Sequence, residues 1–587
     1  MILQALTRYY EILLKRSKIA ASGWAKAKVS WALELSADGS PLLLLPLQQE
    51  VQRGKKTLSA PQELEVPAPI KRTVGVAANF LCDNSGYLLG ADAKGNPGRT
   101  ADCFAAAKAL HLNLLASVDS PAARAVTAFF ERWDPAQAAS CPALQQDWEE
   151  LIKGGNLIFW YDGEPVTTDP AIRRAWEQHY SNSGEGKEIL CLVTGEHAPL
   201  AVLHPSIKGV QGAQSSGASL VSFNAPSFWS YGHDEEQGGN APTGTYAAFA
   251  YGAALNYLIA DREHMRRIGD TTVVCWAEGG EDAYQDFTMM AMFDDAPDEG
   301  ADAAHALAPA ELRAALEKLA SGEPVDWPGV SLDPNCRFYI LGLAPNASRL
   351  SVRFFWQNSF GSLAQNIARH YERLEIVRPS FDPYPTLPVW RLLRETVNLN
   401  ARSPEPSKRL SGDLLLAILT NGLYPATLLT GVTLRIRAEQ TVDRGRAAIL
   451  KAYYLRNSRN ESLKEVMTVE LNEQSSYVPY VLGRLFSVLE AVQAAANPGI
   501  NTTIRERYFN SASATPAVVF PTLLNLAQKH LAKLESGLRV FYDRRIGELL
   551  ARIHETLPAR LTLEEQGAFQ LGYYHETQKR YTKKEEQ

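Results

Sequence analysis

The amino-acid sequence predicts an α+β protein: a mixed α/β region over residues 1–360, a basic helical region over 361–466 and a C-terminal helical bundle over 467–587. Three observations carry this prediction. Short apolar runs that end at glycine or at Asp-Gly, the mark of strands and hairpins, are confined to the first 360 residues. Helical spacing of apolar residues takes over near residue 361, punctuated by Pro, Gly and Asn. From residue 467 onward the segments are long and amphipathic, as bundle helices are.

Taken in order, MILQALTRYYEILLKRSKIA spaces Ile2, Leu3, Leu6, Tyr9, Tyr10, Leu13 and Leu14 helically and breaks them with Arg8, Glu11 and Lys15. That is an amphipathic helix, not a signal peptide. KVSWALELSADG alternates polar and apolar residues and stops at Asp-Gly, a hairpin signal. Residues 100–180 are Ala/Leu/Trp-rich with helical periodicity. NLIFWYDG (156–163), EILCLVTG (188–195) and TTVVCW (271–276) are apolar enough for buried strands. RFYILGLAPN and RLSVRFFWQ form two strands joined by a turn. SLAQNIARHYERLEIV, LPVWRLLRETV, GDLLLAILTNG and DRGRAAILKAYYLRN are successive helices. Three bundle segments follow, among them TPAVVFPTLLNLAQKHLAKLESGLRVFYDRRIGELLARIHETL, with Leu524, Ala527, Leu531, Leu534 and Leu538 as an apolar stripe. No repeat of 20–50 residues is present.

At 587 residues the chain has room for about three or four domains and a large core. Forty Gly and 33 Pro are ordinary usage and exclude a collagen-like or wholly disordered chain. Lys and Arg number 59 against 65 Asp and Glu, so the net charge is −6. A polycation is excluded, and any nucleic acid must be met by local patches. The six cysteines form no C-x-x-C pair and suit neither a zinc site nor a disulfide scaffold. The longest apolar run, LLLLPL at 42–47, is far short of a membrane span. These features point to a cytoplasmic protein with reduced thiols, no membrane contact and no cofactor.

Charge is uneven. Glu278 to His305 holds nine acids and no Lys or Arg, and is expected to be an exposed acidic loop. Arg402 to Lys464 holds eleven bases against five acids. Such a run is either a solvated helical face or a phosphate-contacting surface. In the second case Arg435, Arg437, Arg444, Arg446, Lys451 and Arg456 lie along a nucleic-acid strand.

The standard catalytic signatures are absent: no G-x-x-x-x-G-K-[ST], no G-x-S-x-G, no H-E-x-x-H. His233 beside Asp234, Glu235 and Glu236 is a conceivable metal cluster, hence a metal-dependent nuclease, but adjacent loop residues rarely converge on one ion. Cys275, Glu278, Glu281 and Asp282 suggest a strand running into an acidic loop rather than acid/base machinery.

The most unusual segment is KGVQGAQSSGASLVSFNAPSFWSYGHDEEQGGNAPTGTYAAFAYGAALNYLI (208–259). Gly209, Gly212 and Gly217 permit close backbone approach, while Gln211, Gln214, Ser215 and Ser216 bring uncharged hydrogen-bonding groups. A phosphate cradle would need a lysine after its glycines and a strand–loop–helix context, and this segment, whose one lysine precedes them, has neither. A structural Ω-loop and a loop that reads nucleic-acid edges both remain open.

Three blocks of the chain resemble a known family. Ile207-Lys208-Gly209-Val210 through Gly232, with Asn240-Ala241-Pro242, Phe249-Ala250-Tyr251 and Leu255-Asn256, is similar to the large subunit of the type I-C (Dvulg subtype) CRISPR interference complex, Cascade. So are Asn79-Phe80-Leu81-Cys82-Asp83-Asn84 with Tyr87-Leu88-Leu89-Gly90, and Tyr424-Pro425, Arg435-Ile436-Arg437, Arg446 through Tyr453 and Arg456-Asn457. The resemblance implies a non-catalytic subunit that recognises a protospacer-adjacent motif in double-stranded DNA, aids strand opening and helps to recruit a helicase-nuclease, while guide pairing reads the target. Implied partners are the target duplex and its displaced strand, crRNA-bound backbone subunits, a crRNA-processing subunit and small subunits. In that family the small subunit is also translated separately from the C-terminal part of the gene, and Met467 stands where such a product would start. Within the matching blocks, chemistry nominates Asn79, Asn84, Lys208, Gln211, Gln214, Ser215 and Ser216 as motif readers, and Lys71 with the six cations above as backbone contacts.

Overall fold

The computed structural model describes the chain except for residues 54–55, 71–74, 94, 183–186, 231, 234–236, 294–308, 403, 555 and 586–587. It divides into two compact units, Met1–Pro205 with Val221–Ala254, and Ser206–Leu220 with Leu255–Gln587. The N-terminal strands and helical C-terminal region make it an α+β protein. At residue 360 strand Arg349–Ser359 runs straight into helix Phe360–Leu374 within the second unit.

In the first unit, Trp31–Leu35 and Leu157–Tyr161 pair in parallel at the centre of a sheet flanked by Pro41–Pro46 and Cys82–Asp83. A separate antiparallel sheet joins Trp24–Val29, Lys56–Pro67 and Gln48–Arg53. The Asp-Gly hairpin forms as the sequence predicts. Both faces of the central strands are covered. Leu33, Leu157 and Phe159 join a core with Phe129 and Phe130 of helix Pro121–Arg132, and Ala32 and Ile158 join Val29, Leu47 and Val66. That double burial is why LIFWY is a continuous apolar run.

EILCLVTG departs from its expectation. Only Glu188–Leu190 is a strand, paired with His197–Pro199, and Leu190 and Leu192 are exposed. An apolar run without covering helices becomes a surface hairpin, which periodicity alone does not reveal.

In the second unit, six strands are ordered Ser206–Ile207, Ala218–Ser219, Arg349–Ser359, Arg337–Asn346, Thr271–Ala277, Met265–Ile268. Every residue of Thr271–Ala277 is buried. One apolar core continues from this sheet through the helices, from Ile268 to Tyr574. Helix Val478–Ala496 lies against Leu563–Glu585, and the approach is so close that a Cβ on Gly483 would sit 1.9 Å from the Phe569 carbonyl oxygen. At the centre of the bundle Arg484 donates to Glu576 at 3.0 Å, and Arg545 reaches the same carboxylate at 2.8 Å.

Two further expectations shift. Ala283–Phe293, inside the acidic segment, is a largely buried helix, since its acids are sparse and Phe287, Met289 and Met292 face the core. The rest of that segment, 294–305, lies outside the described residues. The long C-terminal segment is two helices, Pro516–Leu531 and Ser536–Leu550, and Leu538 leaves the apolar stripe for the surface. Met467 is buried in the shared core, and Tyr454 donates to the Leu563 carbonyl across the proposed domain boundary. The six cysteines are unbridged.

Candidate nucleic-acid interface

The Gly-rich segment begins as a hairpin at the edge of the second unit's sheet. Ser206–Ile207 pairs antiparallel with Ala218–Ser219, and Ser219 pairs with Arg349. Buried Ile207, Val210 and Ala218 pin the base. Between them lie two successive turns, closed by Ala213 N–H to the Val210 carbonyl at 3.2 Å and Gly217 N–H to the Gln214 carbonyl at 2.9 Å.

Two glycines are obligatory for different reasons that coincide. Gly209 (φ +82°) and Gly217 (φ +100°) adopt left-handed backbone, and a Cβ would meet Ile259 at 2.9 Å in the first case and Ser206 at 2.8 Å in the second. Three side chains hold the loop from behind. Asn256, on helix Thr245–Ala260, accepts from Lys208 N–H at 2.8 Å and donates to the Ser206 carbonyl at 3.1 Å. Thr272 Oγ1 accepts from Gln211 N–H at 3.2 Å, and Arg267 donates to the Gly209 carbonyl at 3.3 Å. Backbone groups are thus satisfied inward, while Lys208, Gln211, Gln214, Ser215 and Ser216 are exposed. Arg267 is exposed as well and adds a second cation beside Lys208. The sequence gives only one hint of it, the consecutive arginines in Met265-Arg266-Arg267-Ile268.

The Asn79–Asn84 block belongs to the first unit and is wound around a buried aspartate. Asp83 accepts from Asn79 N–H at 2.9 Å and from Asn84 N–H at 2.8 Å. The Asn79 side-chain oxygen accepts from Ile70 N–H at 2.9 Å, and that of Asn84 caps the short helix Ser85–Leu88 through Gly86 N–H. Leu81, at φ +59°, donates its N–H to His111 Nε2 at 2.8 Å. Nδ1 of His111 donates to the Ala107 carbonyl, and burial pushes this imidazole down to about 4. Asn84 also lines a cavity of about 400 Å³ with Lys28, Ser30 and Lys153. Both amide oxygens are therefore occupied in shaping the block. Lys71 lies outside the described residues.

The basic segment is turned inward. Arg444 donates to Asp382 at 3.0 Å and to the carbonyls of Tyr384 and Pro385. Arg446 is enclosed by Glu395, Glu439 and Asp443. Lys451 donates to the carbonyls of Glu372 (3.3 Å) and Arg373 (2.9 Å), at the C-terminal end of helix Phe360–Leu374, and burial brings its ammonium down to about 8. These three, expected as phosphate contacts, are buried and bonded to groups of the chain itself. Arg456 donates to the Asn421 carbonyl at 2.6 Å, Arg437 donates to Gln566 at 3.0 Å, and Arg435 faces Glu439 at 3.5 Å. Of the six, Arg437 is exposed, and Arg435 and Arg456 are half-buried.

Of the cluster at 233–236 only His233 is described. Among the described residues no group of three or more His, Cys, Asp or Glu is placed to hold a metal ion, and no finding supports the nuclease reading. No helix among the described residues is long and apolar enough to cross a membrane.

A family model described as CRISPR-associated protein (Cas_Csd1) matches residues 6–581. The chain belongs to this family. It is a large subunit of type I-C Cascade, and the resemblance carried by the three sequence blocks holds over nearly the whole chain. No curated protein matches it. As a Cas_Csd1 large subunit, the chain is a component of a multi-subunit CRISPR complex with crRNA and further subunits.

Proposed function

We propose that this Cas_Csd1 chain is the non-catalytic subunit that recognises the protospacer-adjacent motif in double-stranded DNA, and that the loop 208–217 does the reading. The observation that carries this is the division of labour within the loop. Its backbone is held by Asn256, Arg267 and Thr272, and its amide and hydroxyl side chains are left to the outside. Gln211 and Gln214 offer paired donors and acceptors to base edges, and Lys208 a cation to the adjoining phosphate. Asn84 lines a second polar surface with Lys28 and Lys153, and Asn79 belongs to the same block. Strand opening and recruitment of a helicase-nuclease follow as tasks of the same subunit, acting with crRNA-bound backbone subunits, the crRNA-processing subunit and small subunits in the cytoplasm. Residues 467–587, started at Met467, are proposed as a separately made small subunit. Loss of a short product on replacing that start codon checks this, and its persistence excludes it.

Selection from duplexes with randomised flanks, using the assembled complex, should enrich a short motif. Gln214→Ala should then weaken binding to that motif by about 1–3 kcal/mol and leave binding to a scrambled flank nearly unchanged. Equal losses on both duplexes would remove the loop as the reader.

A further inference from the structure

The loop's hold on Arg267 leads to a buried histidine that no step above uses. Arg267 lies on Met265–Ile268, a four-residue strand at the end of the sheet order, paired with Thr271–Ala277. Immediately before it stands His264, 7% exposed. Its Nδ1 is 2.6 Å from Asp261 Oδ2, in the turn after helix Thr245–Ala260. Its Nε2 is 2.6 Å from Asp286 Oδ1, on helix Ala283–Phe293. A neutral imidazole has one N–H, so one of these contacts would set a nitrogen lone pair against a carboxylate oxygen. Both are attractive only when the ring carries both protons. Arg266 on the strand and the buried Cys275 thiol, which lies in the field of Arg266, Asp261 and Asp286, are further charged and titratable groups beside the cluster, and Arg262 and Glu263 precede the histidine in the chain.

We propose that protonated His264 is a positioning residue that clamps the start of the edge strand between two carboxylates, and so fixes Arg267 against the Gly209 carbonyl and sets the conformation of loop 208–217. The inference rests on the reading of that loop as the DNA-contacting element. It adds a pH dependence to that reading: the motif is held well when His264 is charged and less well when it is neutral. The two carboxylates raise the His264 pKa against the opposing effect of burial. A raised folded-state pKa means that the clamp is complete below the ordinary histidine value of about 6.5 and is lost as pH rises through the folded-state value.

The test uses the full chain in the assembled complex, with wild type, His264→Gln and Asp286→Asn compared between pH 6 and 9. Two readouts are taken: hydrogen exchange of segment 206–220, and affinity for a duplex carrying the selected motif against one with a scrambled flank. In wild type, exchange should rise and motif affinity fall with pH, relative to His264→Gln at each pH, by about tenfold over the range. Once the intrinsic base catalysis of amide exchange is divided out, His264→Gln should show no pH dependence and stay at the weakened level. Asp286→Asn, which keeps the imidazole but removes one charge, should move the loss to lower pH; this second variant keeps the test decisive if His264→Gln folds poorly. Loop exchange that does not respond to pH in wild type, or responds equally in His264→Gln, overturns the clamp. Exchange that responds as expected while motif affinity stays constant supports the clamp and overturns the motif-reading role of the loop.

Discussion

Loop 208–217 and helix Arg444–Asn457 are both rich in polar side chains, and they use them in opposite directions. In the loop the main chain is tied inward through Asn256, Thr272 and Arg267, and the side chains of Gln211, Gln214, Ser215 and Ser216 face out. In the helix the cations themselves turn inward. Arg444 holds the segment Asp382–Pro385, Lys451 closes the end of helix Phe360–Leu374, and Arg456 takes up the carbonyls of Asn421 and Gly422. A run of positive charge in an acidic chain can be consumed by the carbonyls and carboxylates that helix ends and tight loops leave over. A short loop with three glycines has no interior to consume its side chains. Of the two, the region with less charge is the one that leaves its polar side chains outward.

The largest effect that separates the two regions is expected from Arg444→Ala. It leaves the buried Asp382 short of one partner and takes a donor from the carbonyls of Tyr384 and Pro385. Breaking a buried pair of this kind costs about 3–5 kcal/mol. The denaturant midpoint should fall accordingly, and the salt dependence of DNA binding by the remaining folded protein should not move. A variant that keeps its midpoint and loses one unit of salt slope would place Arg444 on a phosphate instead.

The Asn79–Asn84 block stands between the two cases, because its asparagines are half-buried while buried His111 holds its Leu81 N–H. Burial depresses the His111 pKa to about 4, and Leu81 N–H needs its Nε2 as an acceptor. The folded state therefore binds fewer protons than the unfolded chain below about pH 6.5. Stability is present above that value and is lost as pH falls towards 4, by up to about 3 kcal/mol for this one group. The difference between wild type and His111→Gln in urea, followed from pH 7 to 4.5, isolates it. His370 and His575, also depressed, cancel in that difference, and His264 acts with the opposite sign. A difference that stays flat with pH would mean that His111 does not hold the block through its neutral form.

Asn256→Ala should act on the loop with little global cost. It removes two hydrogen bonds at the hairpin base, worth about 1 kcal/mol each at most in net stability, and frees the Lys208 N–H and the Ser206 carbonyl to water. Discrimination between selected and scrambled motifs should drop more than the melting temperature suggests. Equal discrimination in this variant would show that the loop needs no fixed backbone to read.

Much of the architecture was legible where one physical cause dominates. Trp31–Leu35 and Leu157–Tyr161 announce themselves because both sheet faces are buried, and Arg337–Ser359 because two strands flank a tight turn. Ala283–Phe293 was hidden by the acids that follow it, since charge counted over a window masks a helix whose core side chains are Phe and Met. The loop was legible through its glycines. Its supports were not, because Arg267 and Thr272 lie more than fifty residues away and only the sheet order brings them to it. The direction in which Arg444, Arg446 and Lys451 point was likewise unreadable, because their partners come from segments well outside the helix or from its own approach, such as Asp382, Glu395 and Glu372.

The smallest expected effect is that of Lys208→Ala, and it tests the outward-facing side of the comparison. Lys208 is exposed, and its backbone N–H, not its ammonium, is what Asn256 holds. Removing the side chain should leave the loop conformation and the melting temperature within about 0.5 kcal/mol of wild type. If the ammonium neutralises one phosphate, the slope of log affinity against log salt should fall by about one unit, equally for selected and scrambled motifs, because a phosphate contact carries no sequence information. Arg267→Ala makes the informative contrast. It removes a cation from the same surface and also a donor to the Gly209 carbonyl, so both slope and motif preference should change. If the two variants behave alike, with slope alone reduced, Arg267 is only a second phosphate contact and the loop is held by Asn256 and Thr272. If Lys208→Ala leaves the slope untouched, the loop's lysine does not face the DNA backbone, and the outward surface begins at Gln211.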